Sequence, residues 1–600
     1  MFAAVGAATV YFAYPSIFSI FQAYDDEGFN LVSLHEYGQG GAIYEDVFGQ
    51  YGPLYYQLMG TLIRLVGATP THDVGRMMTL TLWVGGSLLL GYGLFRLTGR
   101  LLIGLVVQVT TFLTLFTFVN EPMHPGGLLV LLLIGIVTAS ILLIPRNPEA
   151  GMFLLGSLLA ATILVKVNVG AFALVSVAFA STVIVPVLRK RVLRLTAGAA
   201  FVLTPIALMA GHLDESWGRV YALVVAMAAG AVAVTTLRVK ASAILRGRHL
   251  AWLVGGLTTT AALVLVVALA QGTGPVRLVR GVLTDPLRQP DIFVVPLLLP
   301  TWALLWGAAN LLVAIAAAWF FRRREEPGLI RMAGGLVMMY AVAGPLLLGV
   351  YPFAMALPLA WLAIERSPPE RSLPAHVLIP SLAVLQILHA YPVAGSQVAW
   401  SAFLLLAVAA IEVSAGQTAI ETWLSRTRVG SRVRYWISAI PVLALASLVV
   451  LGAAPRLRFF TEGYSNNVPL DLPGARRLRL PQEQTEVLRA ITADLRANCS
   501  TFISLPGLNS FYVFAEMEAP TGLNQSGWIF VFDEETQSRI VQQVSPIDRL
   551  CALRNRPLED IWRQRRPLPG TPLVRYILES FQPLSMHGDY EVLVRREVGR

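Results

Sequence analysis

Charged residues and cysteines are scarce in this chain of 600 residues. Asp, Glu, Lys and Arg together make up 14% of it, whereas soluble globular domains carry about 25%. With two cysteines and no spaced set of His and Cys residues, the sequence has no ligand pattern for zinc. So little charge over so long a chain excludes a string of soluble domains joined by polar linkers.

Hydrophobic residues are abundant instead. They make up 55% of the chain, and the mean hydropathy is +0.63. Apolar runs recur through the first three quarters of the sequence, and there are about 13–15 of them with a length that crosses a hydrocarbon core. The first covers residues 2–23. The sequence therefore predicts a polytopic, all-α transmembrane protein.

The net charge of +10 comes largely from arginines between the apolar runs, in clusters such as 189–191 and 322–324. Basic clusters of this kind mark cytoplasmic loops, so the charge indicates topology and not a nucleic-acid partner. We expect the N-terminus to lie inside the cytoplasm, in the inner membrane of a bacterium. An odd number of spans then places the C-terminal end outside.

The composition changes after Ala454. We therefore divide the chain into a transmembrane module, 1–454, and an extracytoplasmic α/β domain, 455–600. The strands predicted in the second domain are 501–504, 528–532 and 590–594, and its helices are 481–497 and 535–544. Cys499 and Cys551 both lie there, and they are equally compatible with a disulfide and with two buried thiols.

Three consecutive acids, Asp25, Asp26 and Glu27, follow the first span. Acids at a membrane boundary are costly unless they face water or a partner, so they are either a solvated helix end or a functional group. A carboxylate that is partly desolvated there could accept a proton from a hydroxyl. The outer loop that they open, 24–76, mixes aromatic residues with carboxylates, which suits either an interfacial belt or the binding of a sugar.

Five short motifs follow one another along roughly the first 190 residues: Asp26-Glu27, Gly41-Ala-Ile-Tyr-Glu-Asp46, Tyr51-Gly-Pro-Leu-Tyr55, Asn120-Glu-Pro-Met-His-Pro125 and Lys166-Val-Asn-Val-Gly170. Their order resembles that in the GT-C glycosyltransferases, membrane enzymes that use polyprenyl-phosphate-linked sugars. This group includes protein O-mannosyltransferases, aminoarabinose transferases and lipopolysaccharide sugar transferases. The resemblance covers that stretch by motif and the remaining spans by architecture only.

The resemblance implies that a sugar is transferred, with inversion, to an acceptor outside the cytoplasm. Asp26 would be the base, with Asp25 as the alternative. The residues expected to bind substrate are Glu27, Asp46, Glu121, His124, Lys166, His389 and Gln397. Some members of the family need a divalent cation, and Glu27, Asp46 and Glu121 are the candidate ligands for Mg²⁺ or Mn²⁺.

Other functions remain open at this point. A transporter or flippase of lipid-linked glycans would need polar residues along a path through several spans, whereas the acids cluster at one side. A polymerase of lipid-linked glycans would also work on the outer face. A non-enzymatic envelope assembly factor is a further alternative. The acceptor of a transferase could be a glycan, a lipid or a protein.

Overall fold

The computed structural model describes residues 1–240, 242, 244–320, 328–348, 353–364, 368–564 and 566–596. The arginine cluster 322–324, predicted to face the cytoplasm, lies outside these residues.

Up to Asn466, the named elements of the described residues are all helices. The α-helices are α1 Phe2–Ile17, α2 Asp26–Gly38, α3 Pro53–Leu65, α4 His72–Thr98, α5 Leu101–Thr114, α6 Gly126–Thr138, α7 Pro148–Val165, α8 Val167–Ile184, α9 Arg191–Leu208, α10 Ser216–Thr236, α11 Arg248–Ala270, α12 Pro275–Val279, α13 Gln289–Ile292, α14 Trp302–Phe320, α15 Gly328–Leu348, α16 Phe353–Ala356, α17 Leu373–Gln386, α18 Gln397–Ala402, α19 Leu405–Leu424 and α20 Ser431–Asn466. Short 3-10 or π segments cover Leu115–Val119, Ala139–Leu143, Pro186–Leu188, Ala210–His212, Arg280–Thr284, Asp285–Arg288, Leu357–Ala363 and Ile387–Ala390.

Twelve helical segments in the described ranges are long and apolar enough to cross a membrane. Three shorter apolar helices accompany them: Phe2–Ile17, Gly328–Ala343 and Ala354–Ala363. The predicted fold class, a multi-pass helical protein followed by a small α/β region, is confirmed.

Small residues let the membrane helices approach closely. A Cβ atom at Gly156 of α7 would lie 1.9 Å from the carbonyl oxygen of Leu253, and one at Gly256 of α11 would lie 1.9 Å from that of Phe153. These two helices therefore touch backbone to backbone, as helices do in lipid, where packing has to replace the hydrophobic effect.

The last membrane helix, α20, is 36 residues long and ends at Asn466, beyond the change of composition at Ala454. The C-terminal elements that follow it are β1 Val468–Pro469, β2 Arg479–Leu480, α21 Gln482–Asn498, β3 Thr501–Leu505, α22 Ser510–Ala515, α23 Trp528–Val531, α24 Glu534–Val544, β4 Leu550–Asn555, α25 Arg556–Arg563, α26 Pro572–Ser580, β5 Phe581–His587 and β6 Tyr590–Arg595. β1 and β2 form a two-stranded ribbon, and the other strands form one sheet in the order β3-β4-β6-β5.

Only β3 and β4 run parallel in that sheet, with Phe502 opposite Cys551. Cys499 precedes β3 and is joined to Cys551 by a disulfide, which settles the choice that the sequence left open.

The strand predicted at 528–532 is wrong, because Trp528–Val531 is a helical turn. The indole N–H of Trp528 donates to the carbonyl of Ser504, at 2.9 Å, so the segment packs on β3 without joining the sheet. A short buried apolar run has the same pattern as a strand and as a buried helix, and periodicity alone does not separate them.

The C-terminal region docks on the loops around α1, α2 and α4. The Asp73 carboxylate accepts the backbone N–H groups of Arg476 and Arg477, both at 3.0 Å. The carbonyl of Phe18 accepts from the N–H of Arg479 at 2.8 Å. These contacts hold the C-terminal domain beside the acids Asp25, Asp26 and Glu27, which follow α1.

Candidate functional site

A cavity of about 840 Å³ lies where the membrane helices meet the C-terminal domain. Five of the nine residues that the sequence singled out line it, namely Asp26, Glu121, His124, Lys166 and Gln397. Apolar residues from α8, α9 and the segment 282–293 form one wall, namely Phe172, Leu208, Val282, Leu283, Leu287, Ile292 and Phe293. The cavity lining therefore combines ionisable groups with apolar side chains.

Asp25 and Asp26 are neighbours with different surroundings. Asp25 has a φ of 59° and caps α2, where its Oδ1 accepts the N–H of Gly28 at 3.2 Å. Its Oδ2 accepts the N–H of Ser510 at 2.7 Å, and the Ser510 hydroxyl donates to Oδ1. The left-handed turn directs Asp25 to the C-terminal domain and leaves Asp26 to line the cavity.

Asp26 is the half-buried first residue of α2 and lines the cavity. Burial raises the pKa of its carboxyl to about 6, although the Ser526 hydroxyl opposes the shift. A carboxylate with a pKa of this size is ionised at neutral pH and is a stronger proton acceptor than an ordinary aspartate.

Glu27 serves the structure and lies outside the cavity lining. Its carboxylate makes a two-point contact with Arg76 of α4, with Nε–Oε1 at 2.8 Å and Nη2–Oε2 at 2.6 Å. His72 Nδ1 lies 3.1 Å from Oε1. Burial alone would raise the pKa of Glu27, but Arg76 and His72 outweigh it and hold the pKa near 2. Arg76 also donates to the carbonyl of Ile20 at 2.7 Å, which ties the end of α1 to α4.

Glu121 faces Asp26 from the loop between the third and fourth apolar segments. Its Oε1 accepts the hydroxyl of Ser396 at 2.6 Å. Tyr24 ties the two acidic loops together by donating to the carbonyl of Asn120 at 2.8 Å. Burial, and then the charge of Asp26, raise the pKa of Glu121 to about 7. The cavity therefore holds two carboxyl groups, and the negative charge of Asp26 makes ionisation of Glu121 less favourable.

Lys166 is placed by a break in the helical hairpin. It is extended (φ −153°, ψ 109°) between the last residue of α7 and the first of α8. Its Nζ lies 3.2 Å from His389 Nε2 and 3.4 Å from Gln397 Oε1. An ammonium group can only donate hydrogen bonds. Nε2 of His389 is therefore the acceptor, and the imidazole is neutral. His389 thus supports Lys166 from outside the lining.

His124 packs as well as lining the cavity. Its Nδ1 accepts the N–H of Gly126 at 2.9 Å, where α6 begins. Its ring lies 4.5 Å from the ring of Trp400, centroid to centroid, and 5.5 Å from that of Tyr51. These contacts fix the loop that carries Glu121.

Asp46 lies outside the cavity lining, in a turn of the first outer loop, where its Oδ2 accepts the N–H of Ala42 at 3.0 Å. In the described ranges no group of three His, Cys, Asp or Glu side chains comes close enough to hold a metal ion. Asp46 and Glu27 are both engaged elsewhere. The candidate ligands therefore do not fit Mg²⁺ or Mn²⁺, and no step below is assigned to a metal.

Sequence reasoning missed several polar residues of the lining, namely Tyr24, Gln50, Tyr51, Ser396, Gln525 and Trp562. Tyr24, Gln50 and Tyr51 lie within or beside the motifs already quoted, and Ser396 directly precedes Gln397, so proximity to the candidate residues is a usable signal. Gln525 and Trp562 come from the C-terminal domain and lie some 400 residues from Glu121 in the chain, a separation that no local pattern bridges.

No family model matches the sequence, and no curated protein matches it. Among solved structures, the chain is similar to ArnT from Cupriavidus metallidurans bound to undecaprenyl phosphate, with 11% identity, 100% of this chain and 98% of that chain covered, and a TM-score of 0.46. The apo state of ArnT gives 12% identity, 99% and 97% coverage, and a TM-score of 0.42.

A third similar structure is the archaeal oligosaccharyltransferase AglB from Archaeoglobus fulgidus, in complex with an inhibitory peptide and a dolichol-phosphate. It has 12% identity, covers 94% of this chain and 71% of that chain, and has a TM-score of 0.40. At such identities and scores the likeness carries no activity over to this chain.

Proposed function

We propose that this protein is a membrane glycosyltransferase that moves a sugar from a polyprenyl-phosphate donor to an acceptor outside the cytoplasm. One observation carries the proposal: Asp26, Glu121 and Lys166 line the same cavity, and that cavity has an apolar wall. A transfer of this kind needs a base for the acceptor hydroxyl, a cation for the departing phosphate and an apolar surface for the lipid. The cavity offers all three.

Asp26 is the base in this mechanism. Its carboxylate accepts the proton of the acceptor hydroxyl while the hydroxyl oxygen forms a bond to C1 of the sugar. The bond between C1 and the phosphate oxygen breaks, and its electron pair stays with the polyprenyl phosphate. Attack from the face opposite the phosphate inverts the configuration at C1.

Lys166 and Gln397 would bind the departing phosphate. An ammonium donates charge-assisted hydrogen bonds to phosphate oxygens, and the Gln397 amide can donate another beside it. His389 Nε2 holds the ammonium at 3.2 Å and carries no charge that would compete for the phosphate. The exposed Leu287 of the apolar wall, 76% accessible, marks the side on which a lipid chain would leave the cavity.

The disulfide supports the proposed side of the membrane. Cys499 and Cys551 are bonded, and disulfides persist in oxidising compartments such as the bacterial periplasm. We therefore place the C-terminal domain and the cavity on the outer side of a bacterial inner membrane, with the N-terminus inside.

The test is transfer by the purified full-length protein in lipid bilayers, supplied with undecaprenyl phosphate that carries different hexoses and pentoses. Release of undecaprenyl phosphate is measured with water or methyl glycosides as acceptor. Asp26→Asn should lower turnover about 100-fold or more without lowering the melting temperature. Asp548→Asn, a change at an exposed aspartate, is the matched control and should retain turnover.

Lys166→Met tests the phosphate site separately. It should raise the KM for the donor by about 10-fold or more, because a charged donor to phosphate is lost. Lys190→Met, at an exposed lysine, is its control. If Asp26→Asn keeps its turnover, Asp26 is not the base. If the wild-type protein binds donors without releasing undecaprenyl phosphate, the chain is a carrier of lipid-linked glycans and not a transferase.

A further inference from the structure

The segment 521–527 of the C-terminal domain reaches the cavity. Its backbone is fixed at both ends: the carbonyl of Gly522 accepts the N–H of Phe48 at 3.0 Å, and the carbonyl of Ser526 accepts the N–H of Gly507 at 2.9 Å. The side-chain amide of Asn524 bonds within the turn, since it donates to the carbonyl of Thr521 at 2.6 Å. The segment is thus a fixed turn whose next side chain, Gln525, is directed into the cavity lining.

Gln525 carries a polar atom that the fold does not use. The residue is 4% exposed, and its Oε1 has no hydrogen-bond partner among the described residues. Its Nε2 donates to Oε1 of Gln50, at 3.4 Å. A buried amide oxygen without a partner is costly, so its position in a cavity wall points to a ligand that supplies a donor.

Trp562 presents the complementary atom. Its indole Nε1 is buried without a partner among the residues described, and Trp562 also lines the cavity. The six-membered ring of the indole packs against the turn, because a Cβ at Gly527 would lie 2.7 Å from its Cε3 atom. One wall of the cavity thus offers an unused acceptor from Gln525 and an unused donor from Trp562.

We propose that Gln525 and Trp562 form a subsite for a hydroxyl group of a sugar ring. A hydroxyl donates one hydrogen bond and accepts others, so sugar hydroxyls can pair with the amide oxygen as donors and with the indole N–H as acceptors. This inference rests on the proposed function and deepens it, because it gives the C-terminal domain a part in choosing the sugar.

The subsite lies beside the proposed base. Ser526 follows Gln525 directly, and its hydroxyl donates to the carbonyl oxygen of Asp25, the residue before Asp26, at 3.2 Å. A sugar held by Gln525 is therefore next to the reacting groups. The hydroxyl can belong to the donor sugar or to a sugar acceptor, and both present the same chemistry.

The experiment uses the full-length protein in bilayers and two conservative variants. Gln525→Leu keeps the volume of the side chain and removes its polar atoms, whereas Trp562→Phe keeps an aromatic ring and removes the N–H. Gln542→Leu and Trp436→Phe make the same changes at exposed positions and serve as controls.

Two arms locate the hydroxyl. The first measures hydrolysis of an undecaprenyl-phosphate sugar by water, and the second measures transfer of the sugar to methyl glycosides. A loss of about 10-fold in kcat/KM for each site variant in the first arm assigns the hydroxyl to the donor. A loss confined to the second arm assigns it to the acceptor.

A series of monodeoxy sugars identifies the hydroxyl itself. Removal of the recognised hydroxyl should cost the wild-type enzyme about 10-fold and should cost the Gln525→Leu enzyme nothing further. The proposal is overturned if the wild type turns over and both site variants match it in both arms, or if the exposed controls lose as much as the site variants. A wild type that is inactive with every donor overturns the proposed function and the subsite together.

Discussion

The activity of this protein should decrease as the pH is lowered from 8 to 5, and an aspartate with an ordinary pKa would not produce this decrease. Burial raises the pKa of Asp26 from 3.8 to about 6, and a base must be ionised to accept a proton. At pH 5 only about one-eleventh of such a carboxyl is ionised, so kcat/KM should be about 10-fold below its plateau at pH 8. A base with the unshifted pKa would lose less than about 10% over the same interval.

Glu121 titrates in the same region, since burial and the charge of Asp26 raise its pKa to about 7. The profile of kcat/KM between pH 4.5 and 8.5 is therefore measured for the wild type and for Glu121→Gln. If Asp26 is the base, the variant keeps an acid limb with an apparent pKa near 6. A flat wild-type profile between pH 8 and pH 5, or an acid limb that vanishes in Glu121→Gln, would refute the assignment.

Three further predictions concern stability. Glu27→Gln leaves Arg76 buried beside a neutral partner and should cost about 3–5 kcal/mol, seen as a lower melting temperature in detergent. Ser510→Ala removes the hydroxyl that contacts Asp25 and should weaken docking by about 1–3 kcal/mol, seen as faster hydrogen exchange at the domain junction with the sheet still protected. Cys551→Ser opens a disulfide between residues 52 apart and should cost the C-terminal domain about 4 kcal/mol; unchanged resistance to proteolysis would contradict this.

The membrane part of the fold was predictable because its physical cause is local. A run of apolar residues long enough to cross a hydrocarbon core has few alternatives to a helix, since every backbone polar group must be satisfied within the segment. Asp26 and Lys166, which both line the cavity, became candidates for a related reason. A charged group in or beside an apolar run is costly, so its presence calls for a function.

The sequence did not predict that the three consecutive acids make different contacts. Asp25 and Asp26 are the same residue type in adjacent positions, and only the left-handed turn at Asp25 sends them in different directions. The partner that fixes Asp25 is Ser510, separated from it by 485 residues. The position of the Glu27 carboxylate is likewise fixed by Arg76, and no short motif links these two residues. Such choices depend on tertiary contacts that local pattern does not encode.

Helix α20 has a mechanical consequence for the whole molecule. Its 36 residues span about 54 Å at 1.5 Å per residue, whereas the hydrocarbon core is about 30 Å thick. The excess of about 24 Å has to lie beyond the core, and the C-terminal end of α20 carries part of it. The C-terminal domain is therefore held at two points, by this helical extension and by the contact between Asp25 and Ser510, which restricts its rotation about α20.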